Sequence, residues 1–263
     1  DSQLGTPRGR LKQWIKAWVY PTLLRQFDGC LYVGQRNREY LAHYGVPAER
    51  LFFAPHCVDN DAFAAGAARV DRTASRAALG LSESTKAVLF VGKLLDRKRP
   101  HDLLRASATL RGRGIDAQVV FAGDGPLRDS LSKAARELDV PAHFLGFRNQ
   151  SELPAAYTLA DVMALPSEAS ETWGLVANEA LACGTPIVIS DAAGCAPDLV
   201  DDGRTGAVHA MGHIEQLVDA LTRALAIPRH APAIAAKAKF YSVSATAEGI
   251  LTAAAAIHSV QRA

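Results

Sequence analysis

The stretch PSEASETWGLVANEALACGTPIVIS at 166–190 holds two carboxylates, Glu171 and Glu179, eight residues apart. Gly174 stands between them, where an apolar helical pattern opens. A loop carboxylate, a glycine at a helix start and a second carboxylate further along that helix make a geometry for holding a sugar nucleotide. The first-turn N–H groups, at Leu175 and Val176, face an anion. Each carboxylate can accept hydrogen bonds from a pair of hydroxyls, Glu171 from the sugar and Glu179 from the ribose. Thr172 and Trp173, on the approach to the helix, complete the expected lining. A bare pair of glutamates at this spacing would be two solvated side chains. The flanking Pro166-Ser167, Gly174 and Cys183-Gly184-Thr185-Pro186 shift the balance toward binding.

A second group lies in Gly92-Lys93-Leu94 and Lys98. An apolar run ends at Gly92, and two lysines follow in the loop. Two ammonium groups there could neutralise a leaving diphosphate without a metal. Arg97 and Arg99 are basic too, so a merely solvated basic loop is the competing account, and the Glu171 motif decides between them. Gly123-Asp124-Gly125-Pro126 lets backbone approach a ligand closely, and it is equally a sharp turn with Pro at a helix start. Gly123 and Gly125 are therefore assigned a site-lining role only, and Asp124 a structural one. Phe147-Arg148 could cover a nucleobase, or be a partly buried aromatic beside a surface Arg. Asp59-Asn60-Asp61 spells a D-x-D carboxylate pair able to hold a divalent cation on a diphosphate. It is set aside because three-residue patterns recur by chance and it lies far from the other candidates.

The elements that must position these residues are short apolar runs alternating with helical patterns. Runs 87–92, 118–123, 142–147, 161–166 and 185–190 read as buried parallel strands. Helices are expected at 100–112, 126–138, 152–160 and 174–183, with Pro100 and Pro126 each at a first helical position. This alternation implies an α/β fold with a doubly wound parallel sheet. Ligands bind such sheets at the carboxyl ends of the strands, which puts loops 92–99, 123–126, 147–150 and 166–174 on one rim. Residues 1–60 read differently: helix 8–26, strand 30–34, helix 36–44 and strand 51–55, then a turn-rich linker at 55–66. They look like the tail of one α/β unit, with a complete second unit over 61–263 that ends in an Ala-rich helical stretch, 231–262.

Composition narrows the classes. The 263 residues are 49% hydrophobic and 21% charged with a net charge of +2. That is ample core material for a globular protein and no strong field toward nucleic acid. No apolar run is expected to reach the length needed to span a bilayer, and no secretory pattern is present. Four cysteines without a CxxC pair suggest buried thiols in a reducing compartment, hence a cytoplasmic protein. The helix at 8–26 carries Arg8, Arg10, Lys12, Lys16 and Arg25 beside Trp14, Ile15, Trp18, Val19 and Leu23. Packing on a part of its own domain outside this chain is its first account, and peripheral contact with the inner face of an anionic membrane its second. The chain starts at Asp1, not Met, and is expected to be part of a longer one.

The pattern resembles the retaining glycosyltransferases of family 4, which have the two-lobed GT-B fold. GKLLDRK (92–98), FAGDGP (121–126), HFLGF (143–147) and ETWGLVANEALACGTPIVIS (171–190) carry the resemblance, as does SDAAGCAPDLVDDGRTG (190–206). It implies that Glu171 and Glu179 are the E-x7-E pair of that family and that Lys93 and Lys98 are its phosphate-binding cations. The family more often has Arg at the position of Lys93, and lysine lacks the bidentate fork. It further implies a UDP- or GDP-linked sugar as donor substrate, no cofactor, no metal, and a saccharide or lipid-linked saccharide acceptor held by an N-terminal lobe. Residues 1–60 would be the remnant of that lobe, braced by a C-terminal helix near 240–258. Slow transfer and some self-association through uncovered apolar surface follow. An epimerase or hydrolase on the same scaffold, and a non-catalytic nucleotide-sugar-binding module, remain alternatives. A dinucleotide oxidoreductase is disfavoured, since no G-x-G-x-x-G opens the first strand–helix turn.

Overall fold

The computed structural model describes residues 2–6 and 9–261. Asp1, Arg8 and Arg262, which belong to the expected N-terminal helix surroundings and C-terminal helical stretch, lie outside them. The chain opens with α1 (Arg10–Leu24), β1 (Cys30–Tyr32), α2 (Gln35–His43) and β2 (Leu51–Phe53). Next come α3 (Asn60–Ala68), α4 (Arg72–Ala77), β3 (Lys86–Val91), α5 (Pro100–Gly112), β4 (Ala117–Ala122) and α6 (Arg128–Glu137). Then follow β5 (Ala142–Gly146), α7 (Leu153–Leu159), β6 (Val162–Leu165), α8 (Leu175–Ala182), β7 (Ile187–Ser190) and α9 (Ala196–Leu199). The chain closes with β8 (Gly206–His209), α10 (Ile214–Leu225), α11 (Pro232–Phe240) and α12 (Val243–Gln261).

Six parallel strands form the main sheet in the order β5-β4-β3-β6-β7-β8. Alternate side chains of each strand point to opposite faces, and both faces are covered. Leu89, Val91, Met163, Leu165, Ile187 and Ile189 pack with α3, α7, α8 and α11 on one side. Val88, Phe90, Val162, Ala164 and Val188 pack with α5, α6 and α10 on the other. Burial on both faces is why the strands read as continuous apolar runs rather than alternating ones. From β3 the chain winds outward through β4 to β5, then returns to β6 on the opposite flank of β3. The winding order therefore reverses between β3 and β6, and sheets of this kind take ligands outside the carboxyl ends of the strands at such a switch point.

The stretch expected to be a linker is partly helical. Asp59 caps α3 by accepting a hydrogen bond from Ala62 N, and Asp71 caps α4 through Ala74 N. Local Asp-x-x-Ala capping overrides the turn-rich composition of 55–66. It also accounts for Asp59 in the D-x-D pattern: that carboxylate is already occupied at a helix start. Strand β8 and helices α9 and α10 complete the sheet unit and were not anticipated. β8 is no shorter than β6 or β7, but its sequence GAVH opens on glycine and ends on histidine, so it lacks their continuous apolar run.

The two strands β1 and β2 form a separate parallel pair, in register from Cys30 with Leu51 to Tyr32 with Phe53. Helix α12 packs against both, and Thr246 Oγ1 donates to the carbonyl of Pro55. By length and composition the stretch Pro232–Ser259 could cross a membrane, contrary to the sequence expectation. In the fold it bends at Tyr241-Ser242 into α11 and α12, which pack on α8 and on the β1–β2 pair. On α1, Leu11, Trp14 and Trp18 stand exposed along one stripe.

Candidate active site

Because β3 and β6 are neighbours, with Val88 beside Val162 and Leu89 beside Met163, the loops leaving their carboxyl ends lie side by side. Three links stitch them. Glu168 N donates to Arg97 O at 2.9 Å, Arg99 Nη1 lies 3.8 Å from Glu168 Oε1, and Lys98 Nζ pairs with Glu171 Oε2. Lys98 sits in a single 3-10 turn, Asp96–Lys98, whose end is Arg99 in a left-handed conformation. That turn aims the Lys98 ammonium across to the β6 loop. Both side chains of the pair are about 15% exposed (16% and 15%), so the pair is sheltered yet open to a ligand.

Gly174 makes the sharp entry into α8. It adopts φ 111° and ψ 66°, and an added Cβ would sit 2.5 Å from Leu165 Cδ2. Glycine alone meets both demands. The consequence is a helix whose first turn, with Leu175 exposed and Val176 half-buried, presents N–H groups that have no intrahelical acceptor. The Glu171 backbone is fixed by Gly194 N, which donates to its carbonyl at 2.9 Å. Thr172 is half-buried beneath the same β7 loop: an added Cβ on Gly194 would meet Thr172 O at 1.9 Å.

Glu179, expected on the helix face toward the ribose, lies inside α8 and is nearly shut from water. It is 7% exposed and accepts a hydrogen bond from Tyr157 Oη at 2.6 Å. Desolvation raises its pKa, and the Tyr157 hydrogen bond opposes that shift. Tyr157, fully buried, is pushed well above its ordinary value by desolvation and by the carboxylate beside it. The sequence reading missed Tyr157. Its signal was a phenol within the apolar helix LPAAYTL, since a buried Tyr hydroxyl requires a partner.

Trp173 also departs from the expected lining. It is 3% exposed, and its Nε1 donates to Asn178 Oδ1 at 2.8 Å. Its ring contacts His56 and Tyr241, and Gly34 is close enough that a Cβ there would touch the ring at 2.4 Å. The side chain joins the N-terminal segment to the sheet unit and leaves the rim to its neighbours. Lys93 is exposed, and among the described residues its ammonium has no hydrogen-bonding or ionic partner. Only Lys98 of the two lysines is tied to Glu171.

Gly123 and Gly125 serve backbone packing, and Gly92, with open space around it, serves a turn at φ 135°. An added Cβ on Gly123 would lie 1.9 Å from Gly92 O, and one on Gly125 would lie 2.6 Å from Leu94 O. Leu94 N donates to Asp124 O at 3.0 Å. The β3 and β4 loops thus meet main chain to main chain, which gives these glycines a structural cause independent of any ligand. Phe147 projects from the end of β5 and is 79% exposed, more open than a partly buried aromatic. Arg148 lies 3.4 Å from Glu152. That loop is held by a reciprocal cap: Asn149 Oδ1 accepts from Glu152 N, and Glu152 Oε2 accepts from Asn149 N.

Comparison with known proteins places this arrangement. The sequence model of the glycosyl transferases group 1 family matches residues 71–240, more than half of the chain. D-inositol 3-phosphate glycosyltransferase of Mycobacterium tuberculosis is 38% identical over 198 residues, covering 73% of this chain and 40% of that protein. The chain thus spans well under half the length of such relatives. Among solved structures, Anabaena HepE in complex with UDP superposes with a TM-score of 0.76 at 22% identity, over 92% of this chain and 67% of that one. Sucrose-phosphate synthase from Thermosynechococcus elongatus gives 0.74 at 21% identity, over 97% and 65%. At those identities the likeness speaks for the fold. With the sheet order and the family match in agreement, the chain belongs to the glycosyl transferases group 1 family and has the α/β architecture of a GT-B lobe.

Proposed function

We propose that this chain is the donor-binding part of a retaining glycosyltransferase of family 4, acting on a nucleoside diphosphate sugar. The observation that carries this reading is the Lys98–Glu171 pair set beside the open first turn of α8. A diphosphate at that helix start meets N–H groups and the positive end of the helix dipole. Lys98, with Lys93 free to swing in, stabilises the negative charge that grows on the diphosphate as its bond to the sugar carbon breaks. Glu171, released from Lys98, accepts hydrogen bonds from the sugar hydroxyls. Glu179 accepts from the ribose, and Phe147 covers the base.

UDP is the favoured nucleotide, because structural neighbours were solved with UDP and with UDP-glucose. Residues 1–60, with α12 across them, are read as the end of an acceptor-binding lobe, so this chain alone transfers sugar slowly. A cytoplasmic location, with α1 as a peripheral membrane contact, goes with the same proposal.

Titration of the chain with UDP and GDP, followed by thermal unfolding, tests the reading. A ligand that binds only the folded chain raises its Tm by mass action. UDP should raise Tm more than GDP. If neither nucleotide shifts Tm or releases heat at saturating concentration, the donor site is not where we place it.

A further inference from the structure

Gln3 lies outside the family-matched residues 71–240, in an irregular segment, yet it is 1% exposed. A glutamine this deeply buried is uncommon unless its amide is satisfied. Its Nε2 lies 2.9 Å from Ala169 O, 3.1 Å from Glu171 O and 3.0 Å from Ala192 O. The first two carbonyls belong to the loop after β6, the third to the loop after β7. Gln3 Oε1 accepts from Arg36 Nη1 at 3.1 Å, and the same nitrogen donates to Ala192 O at 3.0 Å. Arg36 Nη2 donates in turn to the carbonyl of Asp191. One buried amide therefore joins the N-terminal segment, α2 and both loops.

Its target is the peptide that carries Glu171. The Glu171 carbonyl accepts from Gln3 on one side and from Gly194 N on the other. With that carbonyl held by two donors, rotation of the Glu171 peptide breaks two hydrogen bonds, so the backbone from which its carboxylate projects toward Lys98 is fixed. We propose that Gln3 is a positioning residue that aims Glu171 at the sugar of the donor, so that the N-terminal segment governs recognition of the sugar rather than of the nucleotide. This inference rests on the donor-site reading above.

The test uses the full chain with Gln3→Glu and Gln3→Ala. Gln3→Glu keeps the size and the oxygen facing Arg36 but has no N–H to donate to the three carbonyls. Calorimetric affinities are measured for UDP, UDP-glucose, GDP and GDP-mannose, alongside hydrogen exchange of the 168–172 amides. Both variants should weaken the nucleotide sugar about tenfold, the scale of one or two lost hydrogen bonds, leave the parent nucleotide nearly unchanged, and speed exchange at 168–172. Thr246→Val, which loses a hydrogen bond remote from these loops, serves as the stability control and should not alter the ratio of the two affinities. Equal weakening of nucleotide and nucleotide sugar, or no change in either, overturns the positioning role. If the unmodified chain binds none of the four ligands, the donor reading has failed and the positioning role falls with it.

Discussion

The two glutamates of the 171–179 motif are the same residue type, eight positions apart, and the fold treats them oppositely. Glu171 lies on a loop, partly open to water, and is neutralised by an ammonium from the neighbouring strand tip. Glu179 lies inside α8, shut from water, with a phenol as its partner. The first is a charge held ready because the ammonium beside it compensates its partial burial. The second is a carboxyl kept where its charged form is disfavoured. Residues retained at an expense to stability are characteristic of binding sites. The contrast is in keeping with the tasks proposed for them: an open pair for a ligand whose charge changes during reaction, and a buried pair for neutral hydroxyls.

The largest blow to both ends together is Gly174→Ala. The left-handed backbone and the clash with Leu165 should together cost about 3 kcal/mol, and nucleotide binding should be lost. Gly203→Ala is the matched control, with a similar φ sign but open space around it, and should cost only about 1 kcal/mol. Chemical denaturation of the two variants measures the difference; equal losses would mean that packing against Leu165 is unimportant.

Lys98→Ala strikes only the open end. Affinity for UDP should drop by roughly 10- to 100-fold, the range for hydrogen bonds to charged groups, while affinity for uridine stays the same. Its Tm should also fall, because the largely buried Glu171 carboxylate is left without its ammonium partner. A loss shared equally by uridine and UDP would contradict a phosphate-binding Lys98. Glu171→Gln should show a smaller and opposite preference. UDP-glucose affinity declines about tenfold, whereas UDP affinity holds or improves as Lys98 is freed. Competitive calorimetry with the two ligands reads this, and weaker UDP binding in the variant would sink it.

Glu179→Gln sharpens the contrast most gently. The folded-state pKa of Glu179 lies above its unfolded value because burial disfavours the carboxylate. Its contribution is therefore fully present below the ordinary glutamate range, near about 4.3, and is lost as pH rises through the raised folded value. Gln, uncharged throughout, should raise Tm at neutral pH, and the gain should fade in acid. Tyr157 can still donate to the Gln oxygen. A Tm difference that does not vary with pH would show that Glu179 is not held near neutrality. Nucleotide binding by this variant should weaken even as the fold strengthens.

Much of the sheet was legible because its strands are buried on both faces and punctuated by glycine and proline. Pro100 opens α5 where the sequence puts it, and Gly174 precedes α8. What was illegible is weakly patterned or non-local. β8, GAVH, lacks the continuous apolar run of the equally short β6 and β7, and α3 depends on one capping Asp within a turn-rich stretch.

At the site, residue types and spacing alone pointed to Glu171, Lys98, Gly174 and the first turn of α8, because a glycine-started helix next to a carboxylate is a local pattern. Partners were beyond reach of the sequence. That Lys98 meets Glu171 across 73 positions, that Tyr157 occupies Glu179, and that Trp173 turns away to His56 and Tyr241 follow from strand order and from which helix face meets the sheet. Local periodicity encodes which elements form; only the closed sheet, by setting β6 beside β3 and α7 against α8, decides which side chains meet, since those contacts arise between segments that share no local signal.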